Sequence, residues 1–251
     1  MNNPNNNKKK NRCGSIDTKM VNKLDKDEKK NINNEDIKTK LLNSKIGLIN
    51  AGGSCYMASI IQILVHLKKF LDIFLQDKYT NNFSFKFYNF IKILSNSKYP
   101  LEIDTIAYEY NLINKKFSGE EGNNPMSFFT DFIKELSKEN KKIFNIFKGQ
   151  KVFNFEDVKN YNEDFLFHLI VLDKNNDNIT ELINNGRIFD GKNKKEKNVM
   201  LFEKIIKTPE ILIINLETEN IEYKGEEYIV IDNSTYELVA VNMYTNYHSI
   251  A

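Results

Sequence analysis

In the first half of the chain, apolar residues recur with a period of three to four. Met57, Ile60, Ile61, Leu64 and Val65 stand at i, i+3, i+4, i+7 and i+8, a spacing that gathers side chains on one helix face. The stripe predicts a helix that starts at Cys55 and runs to about Gln76. Phe87, Phe90, Ile91 and Leu94 repeat the spacing and predict a helix over about 84–96. Phe129, Phe132, Ile133 and Leu136 predict another near 126–138, with Pro125 suited to its first turn. These aromatic stripes read as core. Beyond residue 150 the period changes. Residues 166–172, and 211–216 just after Pro209, are continuous apolar runs of strand length. Residues 228–231 and 236–241 are two further strands, separated by the turn-forming Asp232-Asn233-Ser234. Residues 179–183 read as a short helix and 192–197 as a charged loop. Helices followed by a mainly antiparallel sheet make an α+β arrangement, with no internal repeat.

Residues 1–44 stand apart from this pattern. They are Asn, Lys and Asp with few large apolar side chains, too few to offset the entropy of ordering them, and they read as a disordered tail. The run Lys8-Lys9-Lys10-Asn11-Arg12 within it reads as solvated charge. Order is expected from about Ile46 to the end, as one domain over 46–251.

Composition narrows the class. A chain of 251 residues with 41% hydrophobic content and 18 Phe can bury a real core. The net charge of +2 gives no reason to expect a nucleic acid or an anionic membrane as partner. No apolar run reaches the length of a spanning helix, and no apolar segment follows the basic N-terminus as a secretory signal requires. Two cysteines, Cys13 and Cys55, exclude a disulfide framework and a four-cysteine metal site. A reducing intracellular setting, cytoplasm or nucleus, is expected. Asn and Lys are frequent throughout, helices included, and this reads as a bias of composition rather than a functional signal.

Chemistry enters at residues 47–57, Gly-Leu-Ile-Asn-Ala-Gly-Gly-Ser-Cys-Tyr-Met. A glycine-rich loop ends at Cys55, where the helix begins. Unpaired amides and the positive end of the helix dipole favour a thiolate there, and Gly52 and Gly53 let a substrate approach closely. Cys55 is therefore read as a nucleophile rather than a small core residue.

Five segments in order resemble the ubiquitin-specific proteases, cysteine peptidases with a papain-like centre. The stretch from Gly47 through Asn50 and Cys55 to Gln62 resembles the family's cysteine box. Residues 124–129 lie where the family has Asp-Ala-x-Glu-Phe-Leu, and Asn162-Glu163-Asp164-Phe165 where it has Asn-Glu-Pro-Phe. Residues 209–216 resemble its Pro-x-x-Leu-Ile strand. Tyr236-Glu237-Leu238-Val239-Ala240-Val241 followed by His248 resembles its histidine box. The resemblance implies a helical thumb over about 46–150 packed on a mainly antiparallel β palm over about 151–251. It implies hydrolysis of the bond after the terminal glycine of ubiquitin, by a monomer that uses no cofactor. Cys55 would be the nucleophile, His248 the general acid and base, and Asn50 a donor to the oxyanion. Gly53, Tyr247, Glu120 and Glu121 would contact substrate. His66, on the Cys55 helix, and His168, inside an apolar strand, read as structural.

The sequence departs from the family in three respects. The family carries, beyond its histidine, an Asp or Asn that orients the ring; this sequence has none there, which leaves Asn242, Asn246 or another polar group to be considered for the part. Asn124 and Ser127 replace two acids that, by resemblance, face arginines of the ubiquitin tail. The family's paired Cys-x-x-Cys knuckles are absent, so no zinc is expected, and the fingers near 185–207 are expected to be short or missing. These departures keep two alternatives open: an impaired relative that binds ubiquitin, and a protease for another ubiquitin-like modifier.

Overall fold

The computed structural model describes residues 33–50, 53–117, 123–155, 158–172, 178–192, 198–218, 225–245 and 248–250. Its first half is helical: α1 (Asn34–Leu42), α2 (Cys55–Leu64), α3 (Lys68–Phe74), α4 (Asn82–Asn96), α5 (Asp104–Ile113), α6 (Pro125–Leu136) and α7 (Lys141–Phe147). A short 3-10 turn, Lys115–Phe117, follows α5. The predicted aromatic stripes all face inward. Phe87 and Phe132 are fully buried and meet edge to face, their ring centres 5.1 Å apart. Phe83, Tyr110 and Phe128 continue the cluster on either side.

Two helical expectations are corrected. The Cys55 helix does not reach Gln76; it ends at Leu64, and α3 starts afresh after Leu67, whose backbone is extended. Val65, Leu67, Phe70, Leu71 and Phe74 are all buried, and one straight helix could not turn this many apolar side chains into a single core. Order also begins earlier than residue 46. Helix α1 buries Ile37 and Leu41, one turn apart, to 0% exposure against α3 and α4. Its charges complete the element: Glu35 and Asp36 lie in the first turn, and Lys38 bridges to Asp72 of α3 at 2.7 Å. Residues 1–32 lie outside the described residues.

Two short strands, β1 (Leu48–Ile49) and β2 (Leu101–Glu102), lie among the helices; in the second half, β3 (Gly149–Phe155), β4 (Val158–Phe165), β6 (Arg187–Lys192) and β7 (Asn198–Lys207) form an antiparallel sheet in the order β4-β3-β7-β6. The stretch expected to hold short or missing fingers thus supplies two paired strands. β5 (His168–Leu172) and β8 (Ile214–Thr218) pair in parallel, an exception to the antiparallel expectation. The connection between them supplies the crossover that parallel strands need, and includes α8 (Ile179–Asn185), which packs on β5. β9 (Tyr228–Ile231) and β10 (Ser234–Glu237) form a hairpin. Its turn is two residues, Asp232-Asn233, with Asp232 at φ 50°, the left-handed setting such tight turns use. β10 ends at Glu237, so residues 238–241, expected as strand, are exposed and lie outside any strand, and of their backbone only Leu238 N–H is seen to bond, to Glu227 C=O at 2.9 Å among the described residues. Phe165, Ile170, Leu172, Ile179, Ile183, Ile205 and Ile231 form this half's core.

The halves are joined at several points. Ile211 N–H donates to Ile146 C=O at 2.8 Å, and Lys69 pairs with Glu210 at 2.7 Å. The strand β12 (His248–Ile250), paired antiparallel with β11 (Met243–Thr245), lies against α2.

Candidate active site

Several bonds hold the described residues that flank Cys55. Leu48–Ile49 pairs in parallel with Leu101–Glu102. Gln62, on the second turn of α2, donates its amide to Ile46 C=O at 3.2 Å. Ser54 starts the helix: its C=O accepts from Met57 and Ala58 N–H, both at 3.0 Å. A serine in this place usually accepts a backbone N–H with its side chain. Ser54 makes no such cap; its hydroxyl donates instead to Asn50 Oδ1 at 3.0 Å. Asn50 and Gly53 are half-buried, and Cys55 is 4% exposed. The next residue, Tyr56, is buried too. Its hydroxyl donates to Phe117 C=O at 3.2 Å and accepts from Asn123 Nδ2 at 3.4 Å. Burial pushes the Tyr56 phenol above its ordinary range, so it stays neutral.

The three histidines are placed very differently. The backbone of His248 enters β12 opposite Thr245, on the strand that packs against the Cys55 helix. His66 follows the far end of that helix, its ring nitrogens 2.8 Å from Gln62 C=O and 3.3 Å from Ser44 C=O. His168 is buried on β5, 3.8 Å from the buried Glu203 carboxylate that Lys151 also meets at 2.8 Å. Both are bound into the scaffold. Asn242 is half-buried just before β11. Asn246, Tyr247, Glu120 and Glu121 lie outside the described residues.

Asn124 has a role that sequence reading missed. Its Oδ1 accepts from Met126 N–H at 2.8 Å and Ser127 N–H at 3.1 Å, capping α6 ahead of Pro125. The signal was present, since an Asn before a Pro at a helix start is a capping pattern. Asn124→Ala is expected to lower stability by about 1 kcal/mol, and Asn124→Asp to hold it, read as the shift in a urea midpoint. Equal loss in both variants would remove the capping role.

One surface hollow lies on the helical half around Tyr79 and Asn140, another lies where the halves meet between Lys69 and Glu210, and neither reaches Asn50 or Cys55. Among the described residues no three His, Cys, Asp or Glu side chains could hold a metal ion. Among them, too, no helix is long and apolar enough to cross a membrane.

A cysteine at a helix start, with a histidine-bearing strand laid across that helix from the sheet half, is the arrangement of a papain-like cysteine peptidase. The sequence model of the ubiquitin carboxyl-terminal hydrolases matches residues 46–247, and the chain belongs to that family. Among solved structures it is similar to a chain of the SAGA Ubp8/Sgf11/Sus1/Sgf73 DUB module bound to ubiquitin aldehyde, at 17% identity and a TM-score of 0.52. That match covers 83% of this chain and 54% of the other. A chain of the Ubp8-Sgf11-Sgf73-Sus1 SAGA DUB module is 18% identical with a TM-score of 0.52, over 90% of this chain and 56% of that one. The Saccharomyces cerevisiae PAN2 pseudoubiquitin-hydrolase is 13% identical with a TM-score of 0.56, over 79% of this chain and 65% of its own. The chain thus spans between 54% and 65% of the length of these structures, which show its fold. No curated protein matches it closely enough in sequence to count as a relative.

Proposed function

We propose that the chain is a thiol-dependent deubiquitinase. The observation that carries this is the meeting of the Cys55 helix with the His248 strand, in a chain whose cysteine loop also holds Asn50 in place. In the proposed cycle the Cys55 thiolate attacks the carbonyl carbon of ubiquitin's terminal glycine. Asn50 Nδ2 and amides at the start of α2 donate to the oxyanion, a contribution of about 100- to 1000-fold per donor. The imidazolium of His248 gives its proton to the departing amine. Water, deprotonated by His248, then hydrolyses the thioester and frees ubiquitin and the thiol. Gly53 leaves room for the tail, and Tyr247, Glu120 and Glu121 are the candidate contacts to it. The enzyme would act inside the cell, where Cys55 stays reduced.

One observation favours a second reading, a binder without activity: Cys55 is 4% exposed, so substrate must open the site to reach it. The test is labelling with ubiquitin carrying a C-terminal electrophile. A live enzyme gains the mass of one ubiquitin at Cys55, and Cys55→Ala gains nothing. A folded chain that stays unlabelled but binds ubiquitin would give the second reading the case. Labelling by a different modifier's probe alone would move the substrate.

A further inference from the structure

We infer that Ser54 is a positioning residue for the oxyanion site, holding the Asn50 carboxamide by its oxygen so that the amino group is the end offered to substrate. This rests on the reading of Asn50 as an oxyanion donor. A carboxamide has an acceptor end and a donor end of nearly the same shape, and its last torsion is broad and two-fold. Only the donor end can stabilise an oxyanion, so an unheld side chain would present the wrong group part of the time.

Ser54 Oγ donates to Asn50 Oδ1 at 3.0 Å, which directs Nδ2 away from Ser54. The hydroxyl is not committed to the helix, because Ser54 makes no side-chain cap. Ser54 itself is well placed, since its C=O is held by the amides of Met57 and Ala58 at 3.0 Å each. Asn50 is anchored from the other side, where the preceding Leu48–Ile49 pairs with Leu101–Glu102. Between the two stand Ala51, Gly52 and Gly53, which have no side chain able to hold a carboxamide. The bond therefore links the helix start to the Asn50 side chain and sets its last torsion. A donor held before the reaction needs no reorganisation as charge develops, the condition under which such donors work best.

The test is a double-mutant cycle on a fluorogenic ubiquitin C-terminal amide, with the Asn50 side-chain amide pair followed by NMR. Ser54→Ala is expected to lower kcat about 10-fold, a fraction of what losing the whole donor costs, with KM within about twofold. Ser54→Thr keeps the hydroxyl and recovers most of the rate. Asn50→Ala lowers kcat about 100-fold, and Ser54→Ala adds nothing on top of it. The amide pair, assigned by its absence in Asn50→Ala, moves in Ser54→Ala and returns towards its place in Ser54→Thr. A Ser54→Ala loss that persists without Asn50, or falls on KM, overturns the inference; so does an amide pair that does not move. If the wild-type chain turns over no ubiquitin substrate, the deubiquitinase reading fails by itself, and the amide pair still decides whether Ser54 holds Asn50.

Discussion

Cys55→Ala is expected to abolish hydrolysis of a ubiquitin C-terminal amide, a fall of at least about 10,000-fold, while the protein stays folded. The magnitude follows from the proposed role, in which the thiolate forms the bond on which the mechanism depends. His248→Ala should behave differently. A general acid and base contributes about 100- to 10,000-fold, so a residue of activity is expected to survive. That residue should rise with pH, because a thiol without its base relies on hydroxide to ionise. The measurement is kcat/KM for the wild type and both variants between about pH 6 and 9. Undiminished turnover by Cys55→Ala would end the nucleophile assignment. A His248→Ala loss that is flat with pH would leave His248 a packing residue.

The largest effect on stability is expected at Phe132. It is fully buried on α6 and stands nearly perpendicular to two rings, Phe83 at 5.6 Å and Phe87 at 5.1 Å, with Phe128 5.1 Å away. Truncating such a side chain to alanine costs about 3–5 kcal/mol, through lost burial and the cavity left behind. Each edge-to-face pair adds about 0.5–1.5 kcal/mol beyond burial. Domains of this kind are stable by only about 5–15 kcal/mol in total, so Phe132→Ala should leave a large part of the chain unfolded near its working temperature. Phe85, half-exposed on α4, is the control: Phe85→Ala should stay within about 0.5 kcal/mol of wild type in the same urea titration. Comparable losses at both sites would mean that the aromatic cluster is not the support the packing implies.

The helices that sequence reading placed well are those with a strong one-sided stripe. α4 and α6 appear within about two residues of where Phe87–Leu94 and Phe129–Leu136 put them, because four large side chains on one face leave little choice. α1 was missed because its face is only Ile37 and Leu41, and the surface that receives them, on α3 and α4, is invisible locally. The break after Leu64 was missed for the opposite reason. Apolar residues continue through it, and the need for a turn comes from the shape of the core. The abundance of Asn reads as compositional bias, yet Asn81, Asn124, Asn140 and Asn178 each cap a helix with their side chains. A composition bias supplies these residues, and helix starts select where they become useful. At the candidate site, Asn50 and Cys55 stand five residues apart in one sequence motif. The bond from Ser54 was not legible there, because a serine before a helix reads equally well as a cap.

If the chain acts as proposed, the contact of β12 with α2 ties that activity to the timing of synthesis and to the integrity of the chain. Cys55 leaves the ribosome long before His248 does. Under the proposed reading, until the sheet half has been made and docked, the nascent helix would carry a nucleophile with no base beside it. A stalled message, or a single cut anywhere between the two residues that lets the parts separate, would leave a silent fragment. Activity in a lysate would then count intact chains, where an antibody against either half would count fragments as well.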